Sequence, residues 1–503
     1  MKMADFDVII VGAGLSGIGA AYHLQDKCPN KSFVILEGRE AIGGTWDLFR
    51  YPGIRSDSDM HTLGYNFKPW LDDKAIADGP SIRKYVQETA EENGFADQIR
   101  FNHLVKDASW DTASATWTVA VEGKEALSCN FLFMCGGYYS YKGGYSPEFP
   151  GADRFQGTVI HPQNWPQDLD YSGKRVAIIG SGATAMTLVP AMAKTASHVT
   201  MVQRSPTYVV SRPDVDGIAN TLRKFLPEKV AYAITRFKNV QMQRLFYNRS
   251  RVAPEKVKGQ LLKMVRKEIG DETVEKHFTP SYNPWDERLC LIPNADLFDA
   301  LNENKASVVT DEIDTFTETG LKMKSGEEID ADIIVTATGL NLVVLNDITI
   351  RVDEKKIDIA DTFSYKGMMF SGVPNLVQTF GYINASWTLR ADLTSEYVCR
   401  MLNHMDASNT TSATPRLRKE EHNMEARPWI DDFSPGYMAR TMHLLPKQGL
   451  EDPWRNTQNY ALDKKSFRNA NMEDGILQFE NNLSEDQTGG GQMNAEEKSA
   501  TAA

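Results

Sequence analysis

Two glycine-rich segments carry the clearest chemistry in this chain. The first, Gly12-Ala-Gly14-Leu-Ser16-Gly17, follows the apolar run Asp7–Val11 and leads into a stretch of helical composition, Ile18 to Gln25. In this order the first glycine makes a tight turn and the second lets the backbone approach a pyrophosphate. The third lets the helix pack closely on the strand. The helix N-terminus attracts phosphate charge, and Ser16 adds a hydroxyl and an amide there. The next apolar run, Ser32–Leu36, ends in Glu37, 20 residues past Gly17, where a carboxylate accepts ribose hydroxyls. Strand, glycine loop, helix, strand and acid together bind a dinucleotide, and FAD or NAD satisfies them equally.

The second segment, Gly180-Ser181-Gly182-Ala183-Thr184-Ala185, follows the buried-strand run Lys174–Ile179. Its helix is predicted to reach about Thr195, with Pro190 as a kink point. The next strand, His198–Val202, ends in Gln203-Arg204-Ser205, with no carboxylate. A carboxylate would repel a 2′-phosphate, whereas Arg204 pairs with it and Ser205 donates a hydroxyl bond. This strand end predicts NADPH over NADH. Between the two loops lies Phe155-Gln-Gly157-Thr-Val-Ile-His161-Pro-Gln-Asn-Trp165-Pro166. Taken alone, a His among prolines in a linker is structural.

The bulk of the chain bounds these readings. With 503 residues, 41% hydrophobic and 24% charged, it is an ordinary globular protein of several domains. A net charge of −12 argues against nucleic acid as a partner. Cys28, Cys129, Cys135, Cys290 and Cys399 are scattered and include no C-x-x-C, which disfavours a disulfide scaffold, a metal site and a dithiol centre. No apolar stretch approaches the roughly 20 residues of a spanning helix, so a cytoplasmic protein is expected. Residues 221–270 stand apart, with 13 lysines and arginines against Glu228, Glu255 and Glu268 and interleaved aromatic residues. A helical subdomain with a solvated basic face is the simpler reading. A peripheral membrane or oligomer contact is the second.

Further motifs carry a family resemblance. Glu40-Ala-Ile-Gly43-Gly44-Thr45-Trp46 is similar to the second FAD element of flavoproteins that bind two dinucleotides. Ala331–Gly339, ending in Ala337-Thr338-Gly339, is similar to the segment joining their two domains. Together with the Phe155–Pro166 fingerprint, these motifs resemble the Baeyer-Villiger monooxygenases from about residue 5 to about residue 480. Tyr51–Asp57, His161–Pro166, Tyr282–Asp286 and Asn384–Thr388 resemble in particular the branch that oxygenates thioamides.

The resemblance implies an α/β fold of two dinucleotide-binding (Rossmann-like) domains with a helical insertion. FAD would sit at the first loop and NADPH at the second. Gly44, Thr45, Trp46, Asp47, Arg55, Ser56 and Asp57 are then expected against the flavin cofactor, and His161 and Trp165 in NADP positioning between the domains. Arg288 and Asp57 are the expected catalytic residues, the guanidinium stabilising an anionic C4a-peroxyflavin and the carboxylate positioning it. A ketone or a sulfur compound and O2 are the expected reactants. A monooxygenase of sulfur or nitrogen nucleophiles and a non-catalytic flavin sensor are the alternatives.

The expected division is FAD-binding over 1–148, fingerprint linker and NADPH-binding over 149–213, and helical insertion over 214–280. NADPH-binding resumes over 281–333 and FAD-binding over 334–485, before a disordered tail over 486–503.

Overall fold

The computed structural model describes residues 4–287, 289–431 and 435–482; the expected tail at 486–503 lies outside them. Its first sheet grows around the strand Phe6–Val11, which pairs in parallel with Phe33–Leu36 on one side and Leu127–Met134 on the other. Val8, Ile9 and Ile10 are fully buried. A strand covered on both faces has no polar face to alternate with, so it reads as a continuous apolar run.

Nine strands among the described residues make up this sheet. Residues 100–135 are continuous with it. The reason is the length of Leu127–Met134. One edge pairs with Phe6–Val11. The other gives its first half to Thr116–Val121, antiparallel, and its last residues to Leu376–Gln378, parallel. Thr349–Val352 then extends the sheet beside Val105–Asp111. The C-terminal part of the chain therefore returns to the first nucleotide unit.

The second sheet is wholly parallel. Its strand order is Ala306–Thr310, His198–Gln203, Arg175–Ile179, Ile333–Thr336 and Thr158–Ile160. The fingerprint thus contributes an edge strand. Ile333–Thr336 lies inside this sheet, so the chain leaves it later than the boundary expected between 333 and 334. The Ala183–Met192 helix contains Pro190 and stops short of Thr195.

Four helices form the insertion: Gly217–Phe225, Glu228–Val252, Pro254–Ile269 and Asp271–His277. Asp216 caps the first by accepting from the Ile218 and Ala219 amides (both 3.0 Å). Pro254 starts the third, where its missing N–H is no loss. The Glu228–Val252 helix is fastened to the first unit. Arg236 donates to the carbonyls of His61 (2.9 Å), Thr62 (3.1 Å) and Gly64 (2.7 Å) and faces Asp392 at 3.4 Å. Tyr232 donates to the Tyr65 carbonyl, and Asn239 and Gln243 donate to Asp59.

Replacing Arg236 with Ala would leave three carbonyls and a buried carboxylate short of a donor. We expect a loss of about 3 kcal/mol or more, read as a lower urea midpoint. An unchanged midpoint would refute this anchoring role.

Candidate active site

The first glycine loop is built for a ligand that lies against backbone. A side chain on Gly44 would start 3.0 Å from the Cα of Gly14, so the Gly43-Gly44 turn can lie this close to the loop only as glycine. One on Gly17 would start 1.8 Å from the carbonyl oxygen of Gly12. Gly14 opens the Leu15–Lys27 helix without any side-chain cap, leaving its first amides to an incoming group. Glu37 is buried at the next strand end. Its two oxygens accept from the amides of Ala13 (2.8 Å) and Arg39 (2.9 Å). Burial raises its pKa, and those amides and the Arg39 charge oppose the rise. Each carboxylate oxygen keeps a lone pair for a ribose hydroxyl. Ser16 accepts from Trp387 Nε1 at 2.7 Å, and the indole stacks on Tyr138. This cradle of glycines, bare amides and a diol acceptor fits the adenine-dinucleotide half of FAD.

Asp47 departs from expectation. Its carboxylate is 1% exposed and pairs with Arg39 (2.6 Å), Arg50 (2.5 Å) and Arg83 (3.2 Å). It is shielded from a ligand by three cations, and its effect is to gather positive charge beside Gly43 and Gly44. That charge suits a pyrophosphate. Thr45 and Trp46 lie half-buried in the short turn that Gly44 opens.

The next loop crosses to the second sheet. Tyr51 is buried and hydrogen-bonded to the Thr184 side chain; burial pushes its phenol up to about 12. Gly53 packs against the Ala183–Met192 helix, where a side chain would start 2.7 Å from the Ala191 methyl. Arg55 was expected against the flavin. Its guanidinium instead makes a two-pronged pair with Asp296 (2.5 and 3.3 Å) at the start of the Asp296–Asn302 helix. Ser56 is buried and accepts from the Ser58 amide. Asp57 is exposed at the end of the loop, and its charge reaches Tyr51. Arg288 lies outside the described residues. On its N-terminal side, Arg251 pairs with Asp286 at 2.7 Å.

In the second glycine loop a side chain on Gly180 would start 2.4 Å from the Ala337 carbonyl oxygen. Gly182 and Ala183 are exposed, Ser181 is half-buried and Ala185 is buried. The helix they open is also without a side-chain cap. Gln203 donates to the His277 carbonyl (2.7 Å) and Thr310 (2.9 Å), so it is structural. Arg204 and Ser205 are exposed at the strand end. An open helix N-terminus beside an exposed guanidinium fits a phosphorylated nicotinamide dinucleotide.

His161 braces the joint between the sheets. Its Nδ1 accepts from the Gln163 amide (3.2 Å), so Nε2 carries the proton and donates to the Gly339 carbonyl (3.1 Å). Both ring nitrogens are committed to backbone, so the ring ties the fingerprint to the domain-joining segment. Trp165 packs on the core of the second sheet. Sequence reasoning missed Arg39 and Arg83, which sit in no motif, and the partnership of Asp296 with Arg55.

Two uncapped glycine loops, each on its own sheet and joined by a clasped loop, define an oxidoreductase of the two-dinucleotide flavoprotein class. A profile of flavin-binding monooxygenase-like proteins matches residues 65–402, and one of NAD(P)-binding Rossmann-like domains matches residues 10–72. The chain is 52% identical over 478 residues to the FAD-containing monooxygenase EthA of Mycobacterium tuberculosis strain H37Rv, covering 94% of this chain and 97% of that one. It is 48% identical over 479 residues to the probable FAD-binding monooxygenase AlmA of Acinetobacter baylyi, covering 94% and 96%. Among solved structures, OTEMO in complex with FAD and NADP superposes with a TM-score of 0.72 at 22% identity, covering 95% of this chain and 100% of that one. The chain belongs to the flavin-binding monooxygenase-like family. It is a flavoprotein monooxygenase whose cofactors are FAD and NADP(H).

Two outcomes follow from this geometry. Gly17→Ala forces a clash worth about 3 kcal/mol, and the purified variant should lose most of its flavin absorbance. Retention of the parent's flavin-to-protein ratio would show that the loop tolerates a methyl. The second concerns pH. Burial lowers the His161 pKa, and the Gly339 bond only partly offsets this. The unfolded chain therefore takes up a proton at about pH 6.5 that the folded chain refuses. Stability should fall as pH drops below that value and level off once the folded pKa is passed. His161→Gln should flatten part of that fall in melting temperature. An identical slope in the variant would exclude His161 as a contributor.

Proposed function

We propose that the chain is a Baeyer-Villiger monooxygenase that spends NADPH and O2 to convert ketones into esters or lactones, and that also oxygenates sulfides or thioamides. The observation that carries this reading is the Arg50–Asp57 loop. It leaves the first glycine cradle, grips the helix of the second through Tyr51 and Gly53 and the Asp296–Asn302 helix through Arg55, and ends on an exposed carboxylate. The 52% identity to EthA supports the same reading.

When bound, FAD supplies the reduced centre that activates O2, and NADPH supplies the hydride that reduces it. The chain's own residues do the rest. Glu37 and the two glycine loops hold the dinucleotides, and Arg204 with Ser205 selects the 2′-phosphate. Arg288 stays cationic at every working pH and stabilises the negative charge that grows on the ketone oxygen. Asp57 orients that guanidinium. His161 keeps the two units in register and moves no proton.

Purified protein given NADPH, air and a linear methyl ketone should form the ester in step with NADPH loss, read by mass spectrometry. NADPH loss yielding only hydrogen peroxide with every ketone, but sulfoxide with sulfides, would replace the ketone reading by a heteroatom one. Arg288→Ala should keep NADPH-dependent flavin reduction and lose ester formation; an ester-forming variant would remove Arg288 from the chemistry. Arg204→Ala should weaken NADPH by about 1–3 kcal/mol, the worth of a charge-assisted bond, and leave NADH unaffected. An unchanged NADPH KM would assign the 2′-phosphate elsewhere.

A further inference from the structure

The Glu228–Val252 helix has two faces of opposite character. One is packed on the first unit through Tyr232, Thr235, Arg236 and Val240. The other carries Val230, Ile234, Phe237, Leu245 and Val252, at successive spacings of four, three, eight and seven residues. On a helix these fall within an arc of about 80°, which Gln241 and Asn248 share. They are not buried: Phe237 is 67%, Leu245 70% and Val252 85% exposed. Phe225, at the end of the neighbouring Gly217–Phe225 helix, is 80% exposed. Single exposed apolar residues need no explanation, but a row of them on one face marks an interaction surface.

The charge around this row says what the surface meets. Residues 221–270 carry net +10 within a chain of −12. Lys224, Lys229, Arg244 and Arg249 are exposed and make no ion pair among the described residues. A strip of large apolar side chains flanked by unpaired cations matches the boundary between the acyl chains and headgroups of an anionic lipid bilayer. The apolar groups enter the hydrocarbon edge and the cations meet phosphate. A protein partner or a second copy of this acidic chain would have to supply an apolar strip of its own beside concentrated negative charge. No described helix is long and apolar enough to cross a membrane, so such contact would be peripheral.

We propose that the insertion docks the enzyme on an anionic membrane surface, with the outer face of the Glu228–Val252 helix and Phe225 lying in the headgroup region. The holoenzyme is incubated with vesicles of pure phosphatidylcholine or of phosphatidylcholine with phosphatidylglycerol, and the bound fraction is sedimented. The parent should bind the phosphatidylglycerol vesicles, lose binding as salt rises, and leave the neutral ones largely in solution. The double variant Phe237→Asp, Leu245→Asp should bind about tenfold or more weakly while keeping flavin content and NADPH oxidation. Lys229→Glu, Arg249→Glu tests the charge independently and should weaken binding to the anionic vesicles alone. Absence of binding by the parent, or equal binding by parent and both variants, would overturn the proposal. So would a concentration-dependent dimer, seen by analytical ultracentrifugation, that the aspartate substitutions dissociate; the surface would then be a self-association face.

Discussion

The grip of the Arg50–Asp57 loop on the Ala183–Met192 helix is the constraint on which the rest of this enzyme depends. Each nucleotide site is complete on its own sheet, yet hydride transfer requires the reacting atoms to come within about 3–3.5 Å. Something must set one sheet against the other. The loop does so with three unlike contacts: a buried phenol on Thr184, a glycine against Ala191, and the Arg55–Asp296 pair. The first two admit little slack, because the phenol is buried and any side chain at Gly53 would collide. The third is a two-pronged ionic contact, part-buried, whose geometry is stricter than its net energy. His161 closes the other side of the joint by holding the backbone of the domain-joining segment at Gly339. The joint is thus made mostly of directional bonds, which fix orientation better than apolar packing does.

The insertion hangs from this frame through the buried Arg236 guanidinium together with Tyr232, Asn239 and Gln243. Arg236 donates to three carbonyls where the chain leaves the Met60–Leu63 turn, two of which also accept from the Thr388 hydroxyl. The same helix lines a cleft with Gln243, Tyr247, Asn384, Leu389 and Tyr460. Its anchored face therefore lies between the first unit's core and the cleft, while its outer face is left to solvent or lipid.

Much of the fold was legible in the sequence because buried parallel strands announce themselves as apolar runs, and glycines mark where backbone must approach backbone. Both loops, the carboxylate of Glu37 at a strand end and the helical composition of the insertion have this local character. What stayed hidden depends on long-range partners. The continuity of residues 100–135 with the first sheet turns on a single strand that changes neighbour along its length, which no periodicity reveals. Arg55 finds Asp296 across 241 positions of sequence. Asp47 looked like a ligand residue because its place in the motif is clear, but its three arginine partners come from three different turns of chain. His161 was readable as a joint residue, and only its hydrogen bonds show that the joint is backbone to side chain.

The distribution of sulfur gives the molecule a particular relation to its own by-products. An enzyme that activates O2 releases hydrogen peroxide whenever the activated oxygen misses its substrate, and the first protein groups at risk are thiolates. All five cysteines are buried. The thiols of Cys129 and Cys135 are pushed up to about 12 by burial, so they are protonated and inert. Cys28, lowered by its bond to Cys399, is 3% exposed. Met242 and Met264, by contrast, are about half exposed on the insertion. Oxidative wear among the described residues would accordingly fall on these surface thioethers, a lesion that reductases reverse, and spare the strands that carry the nucleotide sites.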